Sequence, residues 1–98
     1  MSPASRSARR GAIVYVQAAA SEPRHVLEEI EETLQALGAS KSNLLTARVL
    51  VSDMDVFADY DGAWTDWLQG LRRPLRVWRL ADPRPVERCI DITVTAKK

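Results

Sequence analysis

The sequence has few of the residues with which small proteins build disulfides, metal sites and covalent catalytic centres. Cys89 is the only cysteine and His25 the only histidine in 98 residues. One cysteine excludes an internal disulfide and an all-cysteine metal cluster, and it suits a reducing compartment. One histidine gives no basis for a histidine-rich metal site or the usual Ser/His/Asp triad. We therefore expect a cytoplasmic protein without a metal site, and we leave both residues outside the candidate site.

An excess of charge is also lacking, because the formal net charge is only +1. Binding to a phosphate backbone or an anionic membrane needs a concentrated positive field. Nucleic-acid binding remains a minor alternative that would use Arg6, Arg9, Arg10, Arg72 and Arg73. The N-terminal segment contains no apolar signal core, so we expect no targeting peptide. We expect neither a membrane nor a nucleic acid as the partner.

Glycine and proline are scarce as well, with four and five residues. Together with 46% hydrophobic and 28% charged residues, this composition argues against disorder. A chain of 98 residues is too short for two hydrophobic cores, so we expect one domain over residues 1–98. Residues 1–10 form either a first edge strand or a flexible basic N-terminus. Oligomerisation would add stability to so small a domain.

Two segments have the periodicity of amphipathic helices. Apolar residues return every three or four positions at Val26, Ile30, Leu34 and Leu37, and again at Val56, Tyr60, Ala63, Trp64, Trp67 and Leu71. We interpret both stripes as core-facing. The first helix is expected to have Ser21 as its N-cap, Pro23 in its first turn and Gly38 at its end. Either Ser52 or Asp53 is expected to cap the second.

Strand patterns occupy the rest of the chain. We predict strands at residues 11–17, 44–51, 75–80 and 86–96, with the first extending back toward the N-terminus. In the 44–51 strand, alternation places Leu45, Ala47, Val49 and Val51 on an apolar face and Arg48 on the other. The resulting order, β(β)αβαββ, implies one sheet with both helices on one face. Another subunit is the expected cover for the opposite face.

Several motifs together carry a family resemblance. They are Val26 to Ile30, Leu34-x-x-Leu37-Gly38-Ala39-Ser40, and the 44–51 strand followed by Ser52-Asp53-Met54 and Phe57-Ala58. Pro74-x-Arg76 follows, and Asp91 lies fifteen residues after Arg76. This pattern resembles the Rid (reactive intermediate deaminase, or YjgF) family, in which a Pro-Ala-Arg motif precedes an acidic residue on the closing strand.

The resemblance implies both a fold and an activity. The fold class is α+β, a chorismate-mutase-like domain whose mixed sheet carries two helices on one face and trimerises through the other. Three ligand clefts lie between adjacent subunits of such a homotrimer. Typical members hydrolyse enamines and imines of small carboxylates to 2-oxo acids and ammonia, without a metal or cofactor. The expected partner is therefore a small-molecule carboxylate.

The same resemblance assigns roles to individual residues. Arg76 matches the arginine that binds the substrate carboxylate, for which a planar guanidinium is well suited. Its alternative role is a structural salt bridge. Asp91 matches the acid that orients or deprotonates the attacking water. Its alternative role is to balance Arg76 or Arg48 inside the trimer. Trp78 stands where the family often has cysteine, and it lines the pocket or packs in the core.

Other positions depart from the family pattern. Ala4 stands where the family has a cleft tyrosine, and Gln17 replaces a small hydroxyl residue. We count Gln17 among the substrate-binding candidates because substrate contacts must differ here. The favoured function is imine or enamine deamination. The alternatives are a non-catalytic trimer that binds a small carboxylate metabolite, and a specialised biosynthetic enzyme that dehydrates or cyclises a pathway intermediate.

Overall fold

The structure, a computed structural model, describes residues 6–71, 73–83 and 87–98. Its five strands and two helices are β1 (Arg6–Arg10), β2 (Ile13–Ala20), α1 (Pro23–Ala36), β3 (Leu44–Val51), α2 (Met54–Leu68), β4 (Leu75–Leu80) and β5 (Ile90–Lys97). A short 3-10 helix, Lys41–Asn43, precedes β3. The order of elements is the predicted one, with Arg6–Arg10 paired to β2 as an edge strand.

The five strands form one mixed sheet in the order β1-β2-β5-β3-β4. Neighbouring strands run antiparallel except for β3 and β4, which are parallel. Parallel neighbours require a crossover connection, and α2 lies in the connection between these two. The strands β1 and β4 are the edges of the sheet, and β5 lies at its centre. The predicted α+β class with a mixed sheet is confirmed.

Both helices pack against one face of the sheet. The buried side chains of the strands alternate along the chain, and those of the helices recur at helical spacing. The core includes Val14, Val16 and Ala18 of β2, Ile90, Ile92, Val94 and Ala96 of β5, Val26, Ile30 and Leu34 of α1, and Val56, Tyr60 and Trp64 of α2. We call the other side of the sheet the open face, because no described element covers it. Neither helix is long and apolar enough to cross a membrane.

The ends of several elements differ from expectation; the strand predicted at residues 11–17, for example, is Ile13–Ala20. Ser21 is not the N-cap of α1: Pro23 takes the first helical position, so Glu22 occupies the cap without a side-chain bond. Gly38, at a positive φ of 81°, follows the helix end as predicted. Asp53 is the N-cap of the second helix, as one of the two predicted caps: its carboxylate accepts the Val56 N–H at 2.9 Å. The helix ends at Leu68, before Leu71.

The last strand begins at Ile90 among the described residues, later than predicted; residue 86, the predicted start, lies outside the described part of the chain. Two hydrogen bonds at 3.0 Å join Ser52 and Cys89 just before it, because the Ser52 hydroxyl accepts the Cys89 N–H and the Ser52 N–H donates to the Cys89 carbonyl. In β3, a register shift between Leu44 and Thr46 buries Leu44 and leaves Leu45 42% exposed. Leu45 therefore does not belong to the buried face, since the irregularity reverses the alternation.

Candidate functional site

Cross-strand rows of side chains line the open face. Partner residues on neighbouring strands point to the same side of a sheet. One row contains Gln17, Thr93, Arg48 and Val77, and the next contains Ala19, Asp91, Leu50 and Arg79. Parts of both rows border a depression of about 510 Å³. Its lining combines polar and charged residues, among them Arg48, Asp91 and Thr93, with the apolar Leu50 and Val77.

Gln17 and Asp91 form a direct pair on this face. The Gln17 side-chain amide donates to both oxygens of the Asp91 carboxylate, at 2.9 and 3.2 Å. Their strands are antiparallel neighbours, and the two residues lie diagonally across the ladder, within reach of long side chains. Both side chains are half-buried. The amide therefore fixes the orientation of the carboxylate, and two predicted site residues are brought together.

Arg76 and Trp78 lie on the opposite side of the sheet. Their partners on β3 are Ala47 and Val49, which are buried beneath the helices. The Trp78 ring stacks on Phe57 of α2 with 4.1 Å between ring centroids. Arg76 and Trp78 are thus neighbours at the β4 edge beside α2. Within one chain the sheet separates the Arg76 side chain from the pair of Gln17 and Asp91, whereas Trp78 also borders the depression that Asp91 lines.

The Arg76 guanidinium is held by a carboxylate and an aromatic shelf. Its Nη1 donates to Asp61 Oδ1 at 2.9 Å. The rings of Phe57, Tyr60 and Trp64, which we call the aromatic shelf, have centroids 5.5 to 5.9 Å from the guanidinium carbon. These are cation–π distances. Burial by itself would lower the pKa of Arg76, but the interactions with Asp61 and with Tyr60 together outweigh it, and the pKa is raised. Arg76 remains a cation.

The Tyr60 hydroxyl lies under this cation. It is fully buried and has no hydrogen-bond partner among the described residues. Burial raises the pKa of Tyr60 to about 12, although the Arg76 guanidinium acts in the opposite direction, through a weak interaction outside hydrogen-bond geometry and through its charge. The phenol therefore stays neutral at physiological pH, and its buried oxygen is an unusual polar atom within an apolar cluster.

The chain is similar to proteins of one known family. A family model described as Endoribonuclease L-PSP matches residues 4–97, nearly the whole chain. The chain belongs to this family, the Rid or YjgF family. A RutC family protein from Haemophilus influenzae is 36% identical over 70 residues, which cover 68% of this chain and 60% of that protein. The chain spans about three fifths of the length of the curated relatives it matches.

Solved structures agree with the Rid fold. A crystal structure of an uncharacterized protein from Pseudomonas aeruginosa superposes with a TM-score of 0.82 at 26% identity, covering 94% of this chain and 88% of that one. A Yersinia pestis protein of unknown function, described as a member of the conserved Rid family, gives a TM-score of 0.85 at 17% identity. That alignment covers 100% of this chain and 90% of the other, and it shows a shared fold.

Within the Rid fold, the predicted site residues fall into two pairs on two faces. Ala4 and Arg72 lie outside the described residues. The sequence did not identify Asp61 or the aromatic shelf as neighbours of Arg76. The spacing was a usable signal, because Asp61 follows Phe57 by four positions and the two residues therefore lie on the same face of α2. His25 is exposed and Cys89 is a half-buried free thiol. Within the described residues, no group of three His, Cys, Asp or Glu side chains could hold a metal ion.

Proposed function

We propose that this Rid protein is a cytoplasmic, cofactor-independent hydrolase of small imino or enamino acids that works as a homotrimer. The observation that carries the proposal is the Asp91 carboxylate, which lines a depression of the open face and is oriented there by hydrogen bonds from Gln17. Membership of the Rid family supports the assignment, and the single cysteine suits the cytoplasm. The product would be a 2-oxo acid together with ammonia.

The open face supports assembly into the proposed trimer. Leu75 and Val77 are 70% and 57% exposed on this face, close to the depression. Exposed apolar side chains grouped on one surface are typical of interfaces between proteins. A closed ring of identical copies covers the same surface on every copy. We therefore assign the open face to contact with a neighbouring copy.

Assembly would also allow one ligand to contact both pairs of residues. Arg76 and Trp78 belong to the edge strand β4, whereas Gln17 and Asp91 face away from the helices on the inner strands. When β4 of one copy borders the open face of the next, Arg76 of the first copy approaches Asp91 of the second. The proposed cleft is formed in this way between two subunits, with Trp78 as a flat wall.

Arg76 would bind the substrate carboxylate. A guanidinium has five N–H donors, and Asp61 accepts from one of them. The remaining donors suit a second carboxylate, since Arg forms short, charge-assisted bonds to such groups. Binding through this end leaves the imine carbon of the substrate free to face the neighbouring copy.

Asp91 would serve as the base. A water molecule adds to the C=N carbon while the Asp91 carboxylate accepts one of its protons, giving a carbinolamine. The same proton is then returned to the nitrogen. Because the imine enters protonated, the nitrogen can now leave as ammonia: the C–N bond breaks, the hydroxyl proton passes to the Asp91 carboxylate as the C=O bond forms, and Asp91 then releases that proton to solvent. Gln17 holds the carboxylate in a constant orientation through these steps, which is the positioning that such catalysis requires.

A second candidate is a trimer that binds a carboxylate without turnover. The same pair of residues favours it, because both Asp91 oxygens already accept bonds from Gln17. A carboxylate engaged in this way has fewer lone pairs free to contact a water molecule. Retained binding without ammonia release would support this candidate, and conversion to another product would indicate a specialised biosynthetic enzyme.

The description of the family model also names an endoribonuclease. The open face carries Arg48 and Arg79, which are both exposed. The net charge of the chain is only +1, however, and RNA binding relies strongly on concentrated positive charge. We therefore favour imine hydrolysis over RNA cleavage.

Ammonia release tests the proposal directly. Imino acids of several side-chain sizes are generated in situ by an amino-acid oxidase, and ammonia is followed with and without the purified protein. We expect acceleration by the wild type and its loss in both Arg76→Ala and Asp91→Asn. If no substrate is accelerated, the hydrolase assignment is wrong and the binding protein takes its place.

A further inference from the structure

The Asp61 carboxylate lies next to the solvent-exposed part of Arg76, the residue that the proposed function uses to bind the substrate carboxylate. Its side chain is 51% exposed and that of Arg76 is 26% exposed. Asp61 Oδ1 accepts from Arg76 at 2.9 Å. Within the described part of the chain, no hydrogen bond or ion pair engages Asp61 Oδ2. One carboxylate oxygen therefore remains open to solvent next to the anchor.

The arrangement around Arg76 leaves little freedom for the guanidinium to move away from Asp61. The aromatic shelf lies against the guanidinium within 6 Å, and the Phe57 ring is itself stacked on Trp78. A ligand carboxylate that binds the other donors of Arg76 must consequently lie close to the Asp61 carboxylate. Two like charges at such a distance repel each other, even near the protein surface.

We propose that Asp61 makes this site select ligands that carry a cationic nitrogen next to their carboxylate. The inference rests on the proposed role of Arg76 as the carboxylate anchor. A plain 2-oxo acid places only a negative charge beside Asp61. A 2-amino acid or protonated 2-imino acid of the same skeleton also presents N–H donors, which the open oxygen of Asp61 accepts. Arg76 and Asp61 thus bind opposite charges of one small zwitterion.

This selectivity has a consequence for turnover. The protonated imino acid is neutral overall, whereas the 2-oxo acid formed from it is an anion. Asp61 therefore holds the substrate more tightly than the product, and repulsion assists release of the product. A residue with this function need not take part in the bond-breaking steps.

The test compares L-alanine with pyruvate, which share a carbon skeleton and differ in the nitrogen. Dissociation constants are measured by NMR titration of the purified full chain. Asp61→Asn keeps a hydrogen-bond acceptor for Arg76 and removes the charge. We expect it to bind pyruvate about threefold to fivefold more tightly, the range typical of an exposed charge pair. We expect alanine to bind no more tightly than it does to the wild type.

Two further variants separate charge selection from a structural role. Asp61→Glu keeps the charge and should retain the wild-type preference for alanine over pyruvate. Asp66→Asn removes another exposed carboxylate of α2, paired with Arg24, and should leave both constants unchanged. Far-UV circular dichroism of each variant reports whether the fold is retained.

The outcomes separate the inference from the proposed function. Equal weakening of both ligands in Asp61→Asn, without rescue by Asp61→Glu, would show that Asp61 only supports the structure and would overturn the inference. An unchanged ratio of the two constants would overturn it as well. If ammonia release is normal in either case, the proposed function stands. Absence of binding by the wild type, together with no ammonia release, would reject both.

Discussion

The side chains of Arg76 and Asp91 project from opposite faces of the same sheet. Arg76 pairs with the buried Ala47 on the helix side, whereas Asp91 lies opposite Leu50 and Ala19 on the open face. A single chain therefore does not place the proposed carboxylate anchor next to the proposed base. The proposed chemistry, which uses both residues, requires a contact between copies, and this makes assembly the first property to test.

A charge on the open face should prevent assembly. Val77→Lys places an ammonium where we expect apolar contact with a neighbouring copy, and burying an unpaired charge is costly. We expect the mass in solution, measured by light scattering, to fall from that of three copies to that of one. Ala36→Lys on the exposed end of α1 is the control and should not change the mass. A wild-type monomer would contradict the trimer proposal.

Removal of the proposed base should affect turnover more than binding. Asp91→Asn keeps the size of the side chain but cannot accept the proton from water. We expect ammonia release to slow by about a hundredfold or more, the usual contribution of a general base, with little change in KM.

Gln17 provides the matched comparison for Asp91. Gln17→Ala removes both hydrogen bonds to the carboxylate but leaves the base in place. We expect a smaller loss of kcat than in Asp91→Asn, because only the orientation of the base is relaxed. Full activity in Asp91→Asn would show that another group, or none, accepts the proton.

Loss of the guanidinium should weaken carboxylate binding without unfolding the protein. In Arg76→Ala we expect the dissociation constant of the bound carboxylate to rise at least tenfold, since charge-assisted hydrogen bonds are worth about 1.5–3 kcal/mol. Arg24→Ala removes another arginine paired with an aspartate and should leave binding unchanged. Loss of assembly in Arg76→Ala, with normal binding where trimers persist, would indicate a structural role for Arg76.

The buried Tyr60 hydroxyl should cost stability at every pH. Tyr60→Phe removes a buried polar atom without a partner among the described residues, so we expect the free energy of unfolding in urea to rise by about 1 kcal/mol. Tyr15→Phe removes an exposed hydroxyl and should leave it unchanged. A large loss of stability in Tyr60→Phe would show that the hydroxyl has a partner in the assembled protein.

The same residue should make the wild type sensitive to alkali. The pKa of Tyr60 rises from 10.0 to about 12 on folding, so the folded state retains the phenol proton longer than the unfolded chain. The free energy of unfolding is therefore unaffected by this group below its unfolded pKa and falls between the two values. The upper bound is about 2–3 kcal/mol, from two pKa units. Tyr60→Phe should show a shallower decline over that range.

Local patterns in the sequence were sufficient for the order of elements and for the faces of the helices. The alternation of Ile90, Ile92 and Val94 with polar residues, and the helical spacing of Val26, Ile30 and Leu34, depend only on residues close in the chain. The predictions were wrong where pairing with a distant segment changed the local alternation. Leu45 was assigned to the wrong face because the irregularity in β3 arises from its pairing with β5.

The sequence by itself determined the fold class, because periodicity and the Rid motifs are properties of neighbouring positions. Only the tertiary structure decided which side chains meet. Gln17 and Asp91 are 74 positions apart, and Arg76 and Asp61 are 15 apart. The physical reason is that strand order decides which strands are neighbours, and register decides which face each residue points to. Only β3 lies between β4 and β5 in this sheet. Pairing between distant segments therefore set the contents of the candidate site.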